Sequence, residues 1–286
     1  MKIAAIDIGT NAIKSKIFYT TPTSIEFLES KRTPMRLGTD VFKEGFLSEK
    51  KLRSLVNVLY KYKKYFEENK IELYEIVATS AFRDTSNSED ARRIVENNIE
   101  HPIRIISGLE EAKLIRFHPK AQASFEKMYV DIGGGSTEFY MHTKEKDYIK
   151  SFQLGAVRNY LNMDNKEEWQ RMFDWLAEHQ KEMKLVGIGG NIRSFFNIYK
   201  MKSMTVDVFK KKAKELSGLN KVEKKSIYGL NEDRVDVIDS AIEIYSKIIS
   251  HLSISKVQAT KWGVSDSTAV KLFHELYSEK IQIKNN

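Results

Sequence analysis

"VDIGGGSTEFY", residues 130–140, repeats a pattern met near the start of the chain in "IDIGTNAIKSKIF", residues 6–18. Each has an apolar run, then Asp-Ile-Gly, then small hydroxyl or amide residues, then more strand-like residues. A glycine turn between two strands exposes consecutive backbone N–H groups, and glycine lets an anion approach them closely. Thr10, Asn11, Ser136 and Thr137 add side-chain donors for phosphate oxygens. Asp7 and Asp131 close the strands beside the turns, where they can hold Mg2+ against a bound phosphate, directly or through its waters. A third glycine turn, "GIGGNIRSFF" at 187–196, runs through Gly189 and Gly190 from a strand into a helix. Asn191 reads as that helix's cap, and the helix start as a further anion site.

Outward from the first turn, residues 2–8 and 13–19 read as strands around Gly9-Thr10-Asn11, and 25–37 as a third. "SEKKLRSLVNVLYKYKKYFEEN" (48–69) is a helix capped by Ser48, with Leu52, Leu55, Val56, Leu59 and Tyr60 at helical spacing. "YEIVATSAF" is a buried strand entering a loop at Thr79-Ser80. "SEDARRIVENN" is a helix, "IRIIS" a short strand and "SGLEEAKLIRF" a helix. After residue 119 the pattern restarts with "KMYVDIG", "TEFYMHT" and "DYIKSFQLG" as strands and "KEEWQRMFDWLAEHQ" as a helix. "KLVGIGG" is the strand into the third turn. Helices follow to about 250, then the strand "ISKVQAT" and a terminal helix from "SDSTAVKLFHELY". This predicts an α/β fold in which one domain is used twice, its two glycine turns facing each other across a cleft.

Composition bounds the function. The 286 residues suffice for two domains, and 41% are hydrophobic and 30% charged, as in a globular protein. No apolar run is long enough for a transmembrane helix. "MKIAAIDIG" reads as a buried strand rather than a signal peptide. The absence of cysteine removes disulfides and thiolate metal sites, and a cytoplasmic location fits. The net charge of +8 (47 basic, 39 acidic) favours anionic partners. The basic clusters at 61–66, 210–214 and 221–225 look helical and lack the character of a nucleic-acid tail. The six histidines form no metal-ligand spacing.

Ser107 and Glu110 have the spacing of a capping box, which leaves Glu111 one position along, pointing elsewhere. Local sequence favours an ordinary carboxylate in a first helical turn. A hydrolase of phosphoanhydrides, however, needs a carboxylate to accept a proton from the attacking water or to orient it.

The set "AAIDIGTNAIK", "RLG" at 36–38, "VATSAFRD", "IISGLEEAKLI", "YVDIGGGSTEF" and "GIGGNIRSF" resembles the exopolyphosphatase / guanosine pentaphosphate phosphohydrolase (Ppx/GppA) family. That family lies within the superfamily of actin, sugar kinases and acetate kinase. The motifs occur in family order over nearly the whole chain. The resemblance implies two duplicated ribonuclease-H-like domains flanking a catalytic cleft. These would be 1–119, joined by a terminal helix over 268–286, and 120–267. It implies removal of terminal phosphate from inorganic polyphosphate or guanosine pentaphosphate, with Mg2+. Carried onto this chain, Glu111 matches the catalytic base and Arg83 the phosphate-contacting Arg. Gly9, Thr10 and Asn11 match the first phosphate loop, Gly133, Gly134, Gly135, Ser136 and Thr137 the second, and Gly189 and Gly190 the third. Asp131 and Glu138 match the acidic positions near metal and water.

Lys113 stands where the family commonly has Arg, Ser267 and Val270 stand where Gly and Arg are usual, and Asn191 replaces a typical Thr. Nothing here supplies the helical His-Asp domain of longer members. The runner-up substrate is guanosine pentaphosphate. Readings from other classes are an ATP-dependent small-molecule kinase of the same fold and a non-catalytic guanosine-polyphosphate-binding or actin-like regulatory protein. The basic balance suits a polyanion path along lysines 210–225. Nucleic acid and membrane are not expected partners, and a homodimer is left open.

Overall fold

The run KIAAIDI forms β1 (Lys2–Ile8), in which Ile3, Ala4, Ala5, Ile6 and Ile8 are all buried. A continuous apolar run is what a strand covered on both faces requires. In the computed structural model, which describes residues 1–123 and 125–284, β1 is central to a five-stranded sheet of order β3-β2-β1-β4-β5. β2 (Ala12–Thr21) and β3 (Ser24–Pro34) pair antiparallel, and β4 (Leu73–Ala78) and β5 (Arg104–Ile105) pair parallel.

A second, six-stranded sheet has the order β10-β11-β9-β6-β7-β8. Its strands are β6 (Lys127–Ile132), β7 (Thr137–His142), β8 (Asp147–Phe152), β9 (Met183–Ile188), β10 (Ser203–Met204) and β11 (Ile254–Ala259). β6–β8 form an antiparallel meander, and β9 and β11 add in parallel beside β6. The order β8-β7-β6-β9-β11 therefore reproduces β3-β2-β1-β4-β5, with β10 added at one edge. Both sheets are of the ribonuclease-H-like kind, so the fold is duplicated.

The chain divides into two units, residues 1–107 with the chain from Val264, and Gly108–Gly263. The first boundary falls after Ser107, not at 119, because helix α5 (Gly108–Leu114) packs on β7 and β8 of the second sheet. Glu111 thus belongs to the second unit, not to the end of the first.

In the first unit, β3 ends at Pro34 rather than 37. Arg36 takes φ 52° and α1 (Leu37–Glu44) begins at once, a helix that the apolar pattern hid. α2 (Glu49–Glu68) starts where the Ser48 hydroxyl accepts from Lys51 N. It buries Leu52, Leu55, Leu59, Tyr62 and Phe66, whereas Tyr60 is exposed. After β4 come α3 (Ser80–Arg83) and α4 (Ser88–Ile99), the latter packed on α2. The terminal helix α13 (Val264–Lys284) packs on β1, β2 and β4. Residues 285 and 286, the end of the expected terminal helix, lie outside the described residues. Ala269, Leu272, Phe273 and Leu276 supply an apolar stripe at helical spacing, set against Ile3, Ala5 and Phe18. Lys16 Nζ donates to Asp266 Oδ1 at 2.6 Å at the start of that helix.

The second unit adds α6 (Ala156–Tyr160), α7 (Lys166–Ala177), α8 (Gly190–Ile198), α9 (Val206–Ser217), α10 (Lys221–Tyr228), α11 (Glu232–Val235) and α12 (Ile238–Ser250). α6 and β10 are too short to leave a periodic signal. α12, apolar on its packed side, lies against α6, α8, α9 and β6. No helix among the described residues is long and apolar enough to cross a membrane.

His118 lies in this unit. Lys120 N donates to its Nδ1 at 3.0 Å, and its Nε2 lies 3.1 Å from Thr260 Oγ1, which fits a neutral ring carrying its proton on Nε2. Burial, with the charges of Lys127 and Lys120, holds the imidazole down to about 4. In the unfolded chain it titrates near 6.5. Unfolding therefore takes up a proton between those values, and the contribution to stability is complete above pH ~6.5 and lost as pH falls toward 4. His118→Gln is expected to flatten the fall in thermal midpoint over that window. An unchanged slope in a melting series from pH 7 to 4 would show that the ring takes up its proton at the same pH in the folded and unfolded chain.

Candidate functional site

The two Asp-Ile-Gly turns are built alike. In the first unit Gly9 N donates to Ala12 O at 3.2 Å, and in the second Gly133 N donates to Ser136 O at 2.9 Å. Each turn is then braced by a Leu-Gly pair that follows the third strand, Leu37-Gly38 and Leu154-Gly155. Gly38 N donates to Thr10 O at 2.9 Å, and Met35 N and Arg36 N both donate to Asn11 O at 3.0 Å. In the second unit Ala156 N donates to Gly133 O at 2.9 Å, and Val157 N and Arg158 N to Gly134 O at 2.8 and 3.2 Å. Arg158 Nε reaches Gly135 O at 2.8 Å.

The brace sets the direction of the loop donors. In a trans peptide the carbonyl of one residue and the N–H of the next point opposite ways. With the carbonyls of Gly133, Gly134 and Gly135 all turned toward α6, the N–H groups of Gly134, Gly135 and Ser136 face the other side together. That is the geometry of an anion-binding nest. The same holds for Asn11 and Ala12 in the first unit.

Two of the expected hydroxyl donors are used inside the protein. Thr10 Oγ1 lies 2.6 Å from Ser80 Oγ, buried, and Thr137 Oγ1 donates to Leu154 O at 2.6 Å. Both turns therefore offer backbone donors first. Ser136 is buried, and Asn11 is partly exposed on its turn.

The third turn differs from the expected one. α8 begins at Gly190, with Gly189 at φ 93° in the preceding position, so Asn191 is inside the helix rather than capping it. A side chain at Gly189 would come within 2.9 Å of Asp131 Oδ1, so this backbone lies directly over that carboxylate. Asn191 Oδ1 accepts from Arg234 Nη1 at 2.5 Å, and the Arg234 guanidinium lies against Gly190. The sequence reading missed Arg234, since a lone Arg after a lysine-rich helix carries no local signal. Tyr245 Oη donates to Val130 O at 2.9 Å and Ile188 O at 3.2 Å. Burial, with the Asp131 charge, raises its pKa well above the usual value, so the phenol remains a donor pinning the strand ends that carry Asp131 and Gly189.

The acidic residues divide by unit. Asp131 on β6 pairs in register with Glu138 on β7, and Glu138 with Ser151 on β8, whose Oγ donates to Glu138 Oε1 at 2.9 Å. Glu138 is 0% exposed. The corresponding row in the first unit is Asp7, Lys14 and Arg32. There Lys14 Nζ lies 3.2 Å from Asp7 Oδ2, so Asp7 already has a cationic neighbour. Glu111 is 8% exposed in the first turns of α5, whereas Glu110 beside it is exposed.

Arg83 ends α3, where its Nη1 donates to Ile106 O at 2.9 Å, just past β5. Its counterpart after β9 is Arg193, whose Nη1 approaches Lys261 O at 3.5 Å just past β11. Holding the neighbouring strand's exit is thus a shared task of both arginines. The lysines expected along a polyanion path are mostly paired. Lys212 meets Glu215 at 2.7 Å and Lys221 meets Asp236 at 2.7 Å, while Lys224 pairs with Asp239 and Lys225 with Glu232.

The model of the Ppx/GppA phosphatase family matches residues 16–275. A bifunctional 3-dehydroquinate synthase/phosphatase of Fusobacterium nucleatum is 28% identical over 289 residues. The match covers 87% of this chain and 43% of that protein, so the chain spans less than half of this relative. The crystal structure of a Ppx/GppA family member from Aquifex aeolicus has a TM-score of 0.78 at 24% identity, covering 96% of this chain and 98% of that one. An exopolyphosphatase from Cytophaga hutchinsonii has a TM-score of 0.81 at 20% identity, with coverage of 96% and 98%. Both share the fold of this chain.

Proposed function

Because the chain belongs to the Ppx/GppA phosphatase family, we propose that it is a phosphohydrolase of phosphoanhydrides that removes terminal phosphate from inorganic polyphosphate. The observation that carries this reading is the braced loop at 133–136, whose three consecutive N–H groups face one side beside the Asp131–Glu138 row. Every donor in that arrangement suits phosphate oxygens and none reads a base. Polyphosphate meets that requirement with its phosphates alone.

In this reading the loop N–H groups, with the turn at Gly189 and Gly190, hold the terminal phosphate and stabilise charge as it develops. The Glu111 carboxylate orients water and accepts its proton as the water oxygen bonds to phosphorus. The bridging P–O bond breaks in line and the shortened chain leaves as an anion. A guanidinium has five N–H donors, so Arg83 can hold Ile106 O and an anion together.

Asp131 and Glu138 fit a divalent cation. Carboxylates directly opposite across two strands repel each other, and a divalent cation held by both would relieve that repulsion. Mg2+ requires only one or two carboxylates when phosphate and water complete its shell. Bound there, Mg2+ would neutralise charge on the phosphate oxygens. Asp7 fits less well, because Lys14 already neutralises it.

The test is phosphate release by the wild-type chain from polyphosphate, guanosine pentaphosphate, ATP and a phosphomonoester, with Mg2+ and with chelator. Metal-dependent release fastest from polyphosphate is the expected result. Fastest release from guanosine pentaphosphate would transfer the reading to that substrate. Release from the monoester alone would overturn the phosphoanhydride assignment. Binding of a guanosine polyphosphate without turnover would leave a non-catalytic binder.

A further inference from the structure

We infer that Arg158 is a positioning residue of the 133–136 loop, acting through the carbonyl of Gly135; the inference rests on that loop being the phosphate site proposed above. The two units supply the comparison. By register from the aspartates, Gly135 corresponds to Asn11. Asn11 O is held by two backbone donors, Met35 N and Arg36 N. For Gly135 O the donor is the Arg158 side chain, Nε at 2.8 Å. A guanidinium thus takes over in one unit what two backbone amides do in the other.

The root of that side chain is fixed. Arg158 N donates to Gly134 O at 3.2 Å, and Arg158 O accepts from Met163 N at 2.9 Å and Leu161 N at 3.1 Å. The peptide it holds is otherwise easy to rotate, because Gly135 crosses between backbone regions at little cost. Rotation of the 135–136 peptide would remove the Ser136 N–H from the nest and turn a carbonyl dipole toward the anion. Arg158 Nε prevents both.

Side-chain lengths make the inference testable. Glutamine places its amide nitrogen the same number of bonds from Cα as Arg Nε, so Arg158→Gln keeps a donor for Gly135 O and loses the charge. Arg158→Lys keeps the charge but carries its nitrogen one bond further out. The 286-residue wild type and the Ala, Gln and Lys variants would be titrated with tripolyphosphate by calorimetry. Amide hydrogen exchange over residues 133–137 would be followed in parallel, with thermal melting to confirm folding.

Arg158→Ala is expected to weaken tripolyphosphate binding about tenfold, the effect of one charge-assisted hydrogen bond, and to speed exchange in the loop. Arg158→Gln is expected to recover most of both, and Arg158→Lys less. The reverse order, with Lys rescuing binding and Gln not, would overturn the inference and make Arg158 a direct anion contact. Variants equal to wild type in exchange and binding would also overturn it. If the wild type binds no tripolyphosphate, the phosphate-site reading fails, while loop exchange still decides whether Arg158 orders the peptide.

Discussion

Glu111→Gln is expected to lower the turnover number for polyphosphate by about 10²–10⁴-fold, the usual contribution of a general base, with KM nearly unchanged. The amide matches the carboxylate in shape and cannot accept a proton. At 8% exposure Glu111 sits in α5, which packs on β7 and β8 of the second sheet. The loop at 133–136 joins β6 to β7, so Glu111 and that loop are carried by one unit. Glu110→Gln provides the control, since that side chain is exposed and an ordinary first-turn carboxylate changes rates little. Binding of tripolyphosphate by the Glu111 variant should match wild type, which separates lost chemistry from lost affinity. Unaltered turnover in Glu111→Gln would return Glu111 to the role of a helix-start carboxylate. Glu138, buried at the strand that leaves the loop, would then be the residue to replace next.

The duplication was legible because a glycine turn after an apolar strand has a short, local signature, and it occurs at both Asp7 and Asp131. The strands followed from the same reading, since β1 and β6 are buried along nearly their whole length. What stayed hidden depends on contacts between segments distant in sequence. The Leu-Gly pairs at 37–38 and 154–155 are visible as text, but only the structure shows each closing on its loop. Arg36 at φ 52° begins α1 where the apolar pattern suggested a longer strand.

The hydroxyls of Thr10 and Thr137 looked like phosphate donors by composition alone. Their partners, Ser80 and Leu154 O, are 70 and 17 residues away. Arg234 and Asn191 meet over 43 residues. The lysines of 210–225 looked like a polyanion track because their acidic partners, such as Asp236 and Asp239, lie a turn or a helix further along. Glu111 was read as closing the first half because a helix following a strand normally packs on that strand's sheet. α5 instead covers the sheet that comes next.

The two bracing glycines should respond differently to a methyl group, and the difference tests the loop geometry. A Cβ at Gly155 would lie 2.5 Å from Gly134 O and 2.5 Å from Gly135 N, both backbone atoms of the 133–136 loop. Neither can rotate aside, so Gly155→Ala must displace the loop itself. Overpacking of this kind costs about 1–3 kcal/mol, a fall in Tm of roughly 2–10 °C for a chain of this size. A loop moved by about 1 Å loses about 10²-fold in kcat/KM.

At Gly38 the obstacles are side chains, since a Cβ would come within 2.1 Å of Thr10 Cγ2 and 3.0 Å of Phe42 Cε2, the first by far the tighter. Thr10→Ser removes that methyl and keeps the hydroxyl that meets Ser80 Oγ. Gly38→Ala should therefore be damaging alone and largely repaired by Thr10→Ser, a favourable coupling in a double-mutant cycle. No comparable change can repair Gly155→Ala, because what it strikes is the chain that carries the donors. If Gly155→Ala binds tripolyphosphate as wild type does, the N–H groups of Gly134, Gly135 and Ser136 are not what holds the phosphate. If Thr10→Ser fails to repair Gly38→Ala, the Thr10 methyl is not the contact that limits a side chain at 38, and the Phe42 ring is the one left.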